Sequence, residues 1–341
     1  GNAEILLAII KLIEDKMNVE EDVLSVGVQV ILFVEDSIRF YSSIVPELYK
    51  FVFKQSHSFM TEALNAHEQM LRMRGRPKIL LARNYEEAIL IYQKYQKNML
   101  GVITDVSFSQ KGIKNRQAGI DLCKFIRTSD PLIPLVVQST EETNKQGADT
   151  VKAAFIHKHS KTFNLELREI ITNNFGFGDF IFLNPDTGEE EARIKNLRGL
   201  QDTIFKISDV ALYYHVTRNN ISRWLYSRAM FPLAEFLKDV RVTNRLSESP
   251  SCVTKDAADA QMAAMAHLFR QMGQAMPESA PILEINPEHE IVKKLNGCPD
   301  ESTIEDVSWI LLDQAKLSEG MEITDTVAFA KRLSRITAKA L

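Results

Sequence analysis

The sequence predicts an α/β protein: a doubly wound, five-stranded parallel sheet, then a small α+β connector, then an α+β domain ending in paired helices. Three observations predict it. Five short apolar runs are continuous rather than alternating, as suits strands covered on both faces. Amphipathic stretches at helical spacing separate them. Four of the five runs also end in a charged or hydroxyl residue, at the strand ends where such sheets hold ligands.

The elements follow in order. Ala3 to Met17 reads as a helix in progress (Ile5, Leu6, Ile9, Ile10, Leu12, Ile13), so residues 1–27 look cut from something longer, with no signal peptide visible. The first strand is Gly27 to Val34, stopped by Glu35-Asp36-Ser37. Residues 38–74 read as one or two long helices, with Phe40, Ile44, Leu48, Phe51 and Val52 on one face. Lys78 to Ala82 is the second strand and Tyr85 to Lys97 a helix. Leu100 to Asp105 is the third strand, followed by a polar loop from Ser107 to Gln117 and a helix from Gly119 to Thr128. Pro134 to Thr140 and Ala153 to Lys158 are the fourth and fifth strands, and Leu165 to Asn173 is a helix.

Composition narrows the class. The chain has 341 residues, 45% hydrophobic and 25% charged, which excludes a disordered or collagen-like protein. It has no apolar run long enough to span a membrane. Net charge is −4, too balanced for bulk attraction to nucleic acid or membrane. Cys123, Cys252 and Cys298 are far apart and form no CxxC pair, which suits a reducing, cytoplasmic setting. The averages conceal a seam: of 26 Phe and Tyr only Phe269 and Phe329 lie beyond residue 238. Residues 239–341 carry net −5 (11 basic, 16 acidic) and residues 1–238 carry +1. Two units of different history are expected.

The strand ends supply the chemistry. Glu35, Asp36 and Asp105 brought together repel unless a cation joins them, and an all-oxygen donor set suits Mg²⁺. Asp105 is the expected nucleophile, because a carboxylate can accept a phosphoryl group as an aspartyl-phosphate. The Ser139 hydroxyl and Lys158 ammonium could steady phosphoryl oxygens. Singly, each is an ordinary solvated strand-end residue; five in this order are not. The flanking His157 and His159 are expected on opposite sides of their strand, unable to share a metal.

With these residues in view, positions 28–175 resemble the receiver domain of two-component response regulators, a flavodoxin-like fold. The resemblance implies that Glu35, Asp36 and Asp105 hold Mg²⁺, and that Ser139 (or its neighbour Thr140) and Lys158 contact the phosphate. It also implies a histidine kinase or small phosphodonor as partner. His159 stands where that family usually has proline, and the segment between the first two strands is longer than usual. Ile9 to Met17, VEDSIRFY (Val34 to Tyr41), Arg74 to Ala82 and FGFGDFIF (Phe175 to Phe182) resemble the front part of bacterial proteins related to phosphoenolpyruvate synthase. The ATP-grasp and phosphotransfer domains of that family are not in this sequence, so no enzyme activity beyond self-phosphorylation and dephosphorylation is expected.

Residues 176–238 form the connector. Phe180 to Leu183 reads as a strand, Asn184 to Gly188 as a turn and Leu197 to Ile207 as a helix. Residues 207–225 resemble a helix-turn-helix, in which Thr217, Arg218, Asn219, Asn220 and Arg223 would face a DNA groove. The turn glycine is missing and the segment is not strongly basic, so a helical packing unit around Trp224, Leu225 and Phe231 is preferred.

The tail, 239–341, opens with two strand-like stretches, Val240 to Leu246 and Ser249 to Val253. A helix from Asp256 to Met276 carries Met262, Met265 and Met272, a flexible face open to a hydrophobic client. Pro281 to Asn286 is a strand. Ile304, Val307, Leu311 and Ala315 form one helical stripe; Phe329, Leu333, Ile336 and Ala340 form another. Two such terminal helices suit a four-helix, two-fold interface through Val307, Leu311, Phe329, Leu333 and Ile336. RVTNRLSESPSCV (Arg241 to Val253), ILEINPEH (Ile282 to His289) and LLDQAKL (Leu311 to Leu317) resemble the C-terminal dimerisation domain of the bacterial chaperone HtpG, of the heat-shock-protein-90 class. The resemblance implies a homodimer through 239–341 and no ATP-driven cycle. The expected whole is a phospho-accepting receiver held as a dimer, in origin an engineered chimera or else a natural gene fusion. A phosphorylation-independent scaffold and a DNA-binding regulator are the alternatives.

Overall fold

The computed structural model describes residues 3–60, 75–204, 206–238, 240–242, 249–254, 282–296, 298, 300–319, 321, 323 and 325–340. The chain divides into two compact units, Gly1–Glu235 and Phe236–Leu341.

The first unit begins with helix α1 (Ala3–Val26), strand β1 (Val30–Val34) and helix α2 (Ile38–Met60). β2 (Lys78–Ala82), α3 (Tyr85–Tyr95) and β3 (Met99–Asp105) follow, then a hairpin, β4 (Phe108–Gln110) and β5 (Ile113–Asn115). α4 (Ala118–Ser129), β6 (Leu135–Ser139), α5 (Lys145–Thr150), β7 (Ala154–His157) and α6 (Phe163–Asn174) complete the α/β body. The five-stranded sheet has the order β2-β1-β3-β6-β7, and every pair in it is parallel. That is the doubly wound, flavodoxin-like order, with its crevice between β1 and β3, where the winding reverses. All of β1 and β3 is buried, as their unbroken apolar runs require. The fold class read from the sequence is the one observed.

Three elements escape the sequence patterns. Residues 107–117, read as a loop, contain the β4–β5 hairpin. Its turn residues Lys111 (φ 52°) and Gly112 (φ 76°) are both left-handed, which makes the tight two-residue turn that continues strand twist. Three-residue strands leave no period to read. The six-residue α5 is too short to show a helical stripe, and the strand β9 (Glu190–Ile194), which pairs with β8 (Phe180–Leu183), is mostly charged and exposed, so it shows no apolar run.

α1 is integral to this unit and packs against α2 and β2. Asp15, fully buried, receives two bonds from Arg76 (2.6 and 3.1 Å), one from Tyr49 Oη (2.8 Å) and one from the Ile79 backbone N–H (2.9 Å). Burial, with Asp15 beside it, pushes the Tyr49 phenol far above its ordinary value.

The connector belongs to the same unit as far as Glu235, and the division falls within its last helix. It continues with α7 (Leu197–Ile204), α8 (Asp209–Thr217), α9 (Asn220–Ser227) and α10 (Phe231–Lys238). Asn219 (φ 54°) occupies the left-handed turn position between α8 and α9, which asparagine tolerates in place of glycine. Six of the eight α9 residues are buried. Trp224 Nε1 donates to the Gly178 carbonyl (2.9 Å), Arg228 to the carbonyls of Gly176 (2.8 Å) and Gly178 (2.9 Å), and Arg223 to that of Leu132 (3.1 Å). The helix that a DNA reader would lay in a groove is spent on packing against its own unit, because FGFGDF supplies free carbonyls that Trp and Arg can cap.

His215 is buried beside this junction, its Nε2 accepting from the Leu183 N–H at 2.9 Å. Burial holds the imidazole below its ordinary value. The unfolded state therefore binds more protons just below that value, and stability is lost as pH falls through it. We expect the unfolding midpoint of the first unit to drop between about pH 7 and about pH 5, and His215→Gln to flatten that slope. Parallel profiles for the two proteins in denaturant titrations would contradict this.

The second unit, described by itself, holds a three-stranded sheet of order β10-β12-β11. β12 (Ile282–Ile285) pairs parallel with β10 (Val240–Val242) and antiparallel with β11 (Ser251–Thr254). α11 (Glu290–Asn296), α12 (Glu301–Ser318) and α13 (Thr326–Ala340) follow, and α12 packs on both β11 and α13. Arg335 pairs with Asp306 (2.5 Å) and Lys339 with Asp300 (2.5 Å) across the two helices. Met262, Met265 and Met272 lie outside the described residues. Among the described residues no helix is long and apolar enough to cross a membrane.

Candidate functional site

The site is assembled from strand ends. β1 stops because Glu35-Asp36-Ser37 replaces its apolar run, and the Glu35 carboxylate turns back to accept from the Ser37 N–H (3.1 Å). β3 delivers Asp105 beside it in the parallel ladder, and β7 ends one residue before Lys158. Glu35, Asp36 and Asp105 each place a carboxylate oxygen within 4.8 Å of the others.

Lys158 ties the group together. Its Nζ lies 2.6 Å from Glu35 Oε2 and 2.8 Å from Asp105 Oδ1, and it sits over the Phe40 ring at 4.2 Å. Burial pushes the Glu35 carboxyl up to about 7; Lys158 pulls against that rise and Asp105 adds to it. Glu35 and Asp105 share the buried Lys158, and Asp36 has only the exposed Lys114 at 3.8 Å, so three acids face two cations and the excess of negative charge favours a further cation. All donors are hard oxygens, two of them nearly buried, a set that fits Mg²⁺ or a similar divalent ion.

Ser139 closes β6 and is buried, its Oγ accepting from the Glu141 N–H (3.1 Å) and Asn144 Nδ2 (2.9 Å). Thr140, one residue on, is exposed. The structure thus gathers Glu35, Asp36, Asp105 and Lys158 into direct proximity and sets Ser139 at the end of the strand that neighbours β3.

Several contributors were not read from the sequence. Gln138 pairs in register with Asp105 and donates to Glu35 Oε2 (3.1 Å). A lone glutamine inside the apolar run LVVQS was the available signal. Lys114, on the unforeseen hairpin, stands 3.8 Å from Asp36. His157 and His159 correct an expectation: the strand ends at His157 and the chain turns at 158–159, so the two rings lie on one side with centroids 5.9 Å apart. His157 Nε2 meets the Thr140 carbonyl at 2.9 Å, and no third ligand joins the pair in a metal-holding group among the described residues.

Of the residues expected at a dimer face, Leu333 is 45% exposed, and Val307, Phe329 and Ile336 are half-buried. Leu311 is only 4% exposed in the single chain, so it is already covered by its own unit and does not belong to the outer face. A stripe at helical spacing marks an apolar side but not which neighbour covers it. The backbone of Leu311 also serves that interior, its carbonyl accepting from Ser251 Oγ (3.0 Å).

Comparison with known proteins divides along the chain. Residues 218–341 match the family model of the Hsp90 protein, starting upstream of the composition seam. The chaperone protein HtpG of Aliarcobacter butzleri is 62% identical over 184 residues, covering 52% of this chain and 26% of that protein. HtpG of a Sulfurovum species is 59% identical over 109 residues, 32% of this chain and 17% of its own. The chain thus spans about a quarter or less of the length of these curated relatives. Among solved structures, a response regulator receiver domain protein from Clostridium thermocellum has 16% identity and a TM-score of 0.30, covering 43% of this chain and 94% of its own. The chemotaxis response regulator CheY4 of Vibrio cholerae has 18% identity and a TM-score of 0.26, with 42% and 98% covered. The Mn²⁺-bound form of response regulator Rcp1 has 15% identity and a TM-score of 0.27, with 42% and 93% covered.

Proposed function

We propose that the first unit is a receiver that accepts a phosphoryl group on Asp105, and that residues 239–341 hold the chain as a homodimer. The observation that carries the first part is the single cluster of Glu35, Asp36, Asp105 and Lys158 at the β1/β3 crevice. Asp105 Oδ attacks the phosphorus of a phosphohistidine or a small acyl phosphate, and the donor's imidazole or carboxylate leaves with the bonding electron pair. Lys158 balances charge on the phosphoryl oxygens and the Ser139 hydroxyl donates to one of them. Glu35, Asp36 and Asp105 would hold Mg²⁺, which when bound offsets charge between carboxylate and phosphoryl oxygens.

Incubation with acetyl phosphate and Mg²⁺ should add one phosphoryl group to the intact mass, absent in Asp105→Asn and after removal of the metal by a chelator. An adduct that survives Asp105→Asn overturns Asp105 as the acceptor, and no adduct at all leaves a phosphorylation-independent scaffold.

The tail supports dimerisation through apolar side chains left outward on α12 and α13: Trp309, Leu317, Val327 and Leu333. On sedimentation the full chain should show twice its own sequence mass, and a chain ending at Lys238 should lose tail-mediated association. Equal association of the two proteins would refute this role. In origin the chain reads as a union of a front part related to phosphoenolpyruvate synthase with an HtpG-like end.

A further inference from the structure

α1 is apolar on two opposite sides, and only one of them is used within the first unit. Ala8, Asp15 and Val19 face inward and are buried. Nearly half a turn away, Leu6, Ile10, Ile13, Met17 and Leu24 form a stripe exposed by between 50% (Ile10) and 80% (Leu24). A helix apolar on both sides needs two partners, and an apolar patch of this length on a folded surface marks an interaction site. Together with Leu7 and Ile9 the stripe offers on the order of 700 Å², close to the roughly 800 Å² that each partner buries in a stable interface.

The spacing identifies the class of partner. Steps of four, three and four residues from Leu6 to Met17, resumed at Leu24, make a heptad in which Ile10, Met17 and Leu24 take one seam position and Leu6 and Ile13 the other. Such a seam fits another helix with the same repeat. Glu20 falls on the seam but is turned away to Lys94 of its own chain (2.8 Å), so pairing need not bury it as a lone charge.

Charge selects the partner and its direction. Most charges on α1 are matched inside the unit: Glu4 with Lys50, Lys11 with Glu14, Asp15 with Arg76, Glu20 with Lys94 and Asp22 with Lys78. Lys16 and Glu21 are exposed, and neither has an ion-pair partner among the described residues. They flank the seam on opposite sides, five residues apart. In a parallel, in-register pair, Lys16 of one copy meets Glu21 of the other twice over. An antiparallel pair centred on Ile10 and Ile13 would instead leave Leu24 beyond the end of its partner helix. Six acidic and two basic residues on α1 also make an anionic membrane surface a poor occupant.

We propose that α1 pairs with α1 of a second copy as a parallel, in-register two-stranded coiled coil. The contact is separate from the tail and does not depend on the tail's dimerisation.

The test is oxidative cross-linking of the full chain with Cys252 and Cys298 replaced by serine. Met17→Cys lies on the seam and should form a symmetric disulfide at least about tenfold faster than Asn18→Cys, which lies beside it off the seam, because disulfide geometry demands close, facing Cβ atoms. Tail-driven association raises both rates together, so their ratio isolates the seam. The ratio should persist when Leu333→Glu is added to weaken the tail. Both positions are exposed, and unchanged thermal unfolding of each variant checks that the fold is kept. Equal rates at the two positions would overturn the pairing. A mixed disulfide between Leu6→Cys and Met17→Cys chains in place of the symmetric one would overturn its parallel direction.

Discussion

Asp15→Ala is expected to destabilise the first unit by about 3–5 kcal/mol, the cost of leaving a buried guanidinium without its hydrogen-bonded carboxylate and with only the more distant Glu14 at 3.7 Å. Arg76 is 7% exposed and donates two hydrogen bonds to Asp15, while Tyr49 and the Ile79 N–H each lose a buried acceptor in the variant. One carboxylate thereby fastens α1 to α2 and to the edge strand β2. Chemical denaturation followed by the fluorescence of Trp224, with Trp309 replaced by phenylalanine, should show the loss. Asp15→Asn keeps the shape without the charge, so it should fall between wild type and alanine. A loss below about 1 kcal/mol for alanine, the range of an exposed pair, would mean that water reaches the cluster. Tyr49→Phe removes one hydrogen bond and should cost far less, about 1 kcal/mol.

Gly119→Ala is the second change with a large expected effect, because it joins fold to site. A Cβ on Gly119 would stand 1.9 Å from the backbone oxygen of Asp105. The neighbour is backbone, so β3 and the start of α4 must move apart. Overpacking of this kind costs about 1–3 kcal/mol. The displaced group is the proposed phosphoryl acceptor, and a shift near 1 Å there should slow modification by acetyl phosphate by about a hundredfold. Gly199→Ala in α7 is the control, since a Cβ there meets only ordinary contacts at 3.5 Å and beyond. An alanine at 119 that folds and is phosphorylated at the wild-type rate would show that the approach relaxes freely. It would also separate Asp105's reactivity from the position of its backbone.

The two substitutions mark where sequence reasoning reached and where it stopped. Asp105 was legible because an apolar strand that ends in a charged residue is a local pattern, repeated at Glu35 and Lys158. Asp15 was not: it interrupts a helix read for its apolar face, and its partner Arg76 is 61 residues away. Gln138, in the neighbouring strand, and Phe40, in α2, complete the surroundings of Glu35 and Lys158 through contacts distant in sequence, and no spacing along the chain announces those. The hairpin carrying Lys114 rests on two left-handed residues, Lys111 and Gly112, whose backbone shape the composition does not show.

The sequence by itself determined the five parallel strands, the acids and lysine at their ends, the composition seam near 239 and the helical stripes of the tail. Each follows from local periodicity, which records whether a residue is apolar and how often its kind recurs. Only the tertiary structure decided which side of an apolar element is covered. It buried six of the eight α9 residues, with Trp224 and Arg228 capping the carbonyls of Gly176 and Gly178 and Arg223 donating to that of Leu132. It turned Leu311 inward and left Leu333 outward on helices whose stripes read alike. It also used one side of α1 to seat the Asp15 lock and left the opposite stripe from Leu6 to Leu24 in water. Burial is a property of neighbours distant in sequence, and a periodic pattern names a face without naming what will cover it.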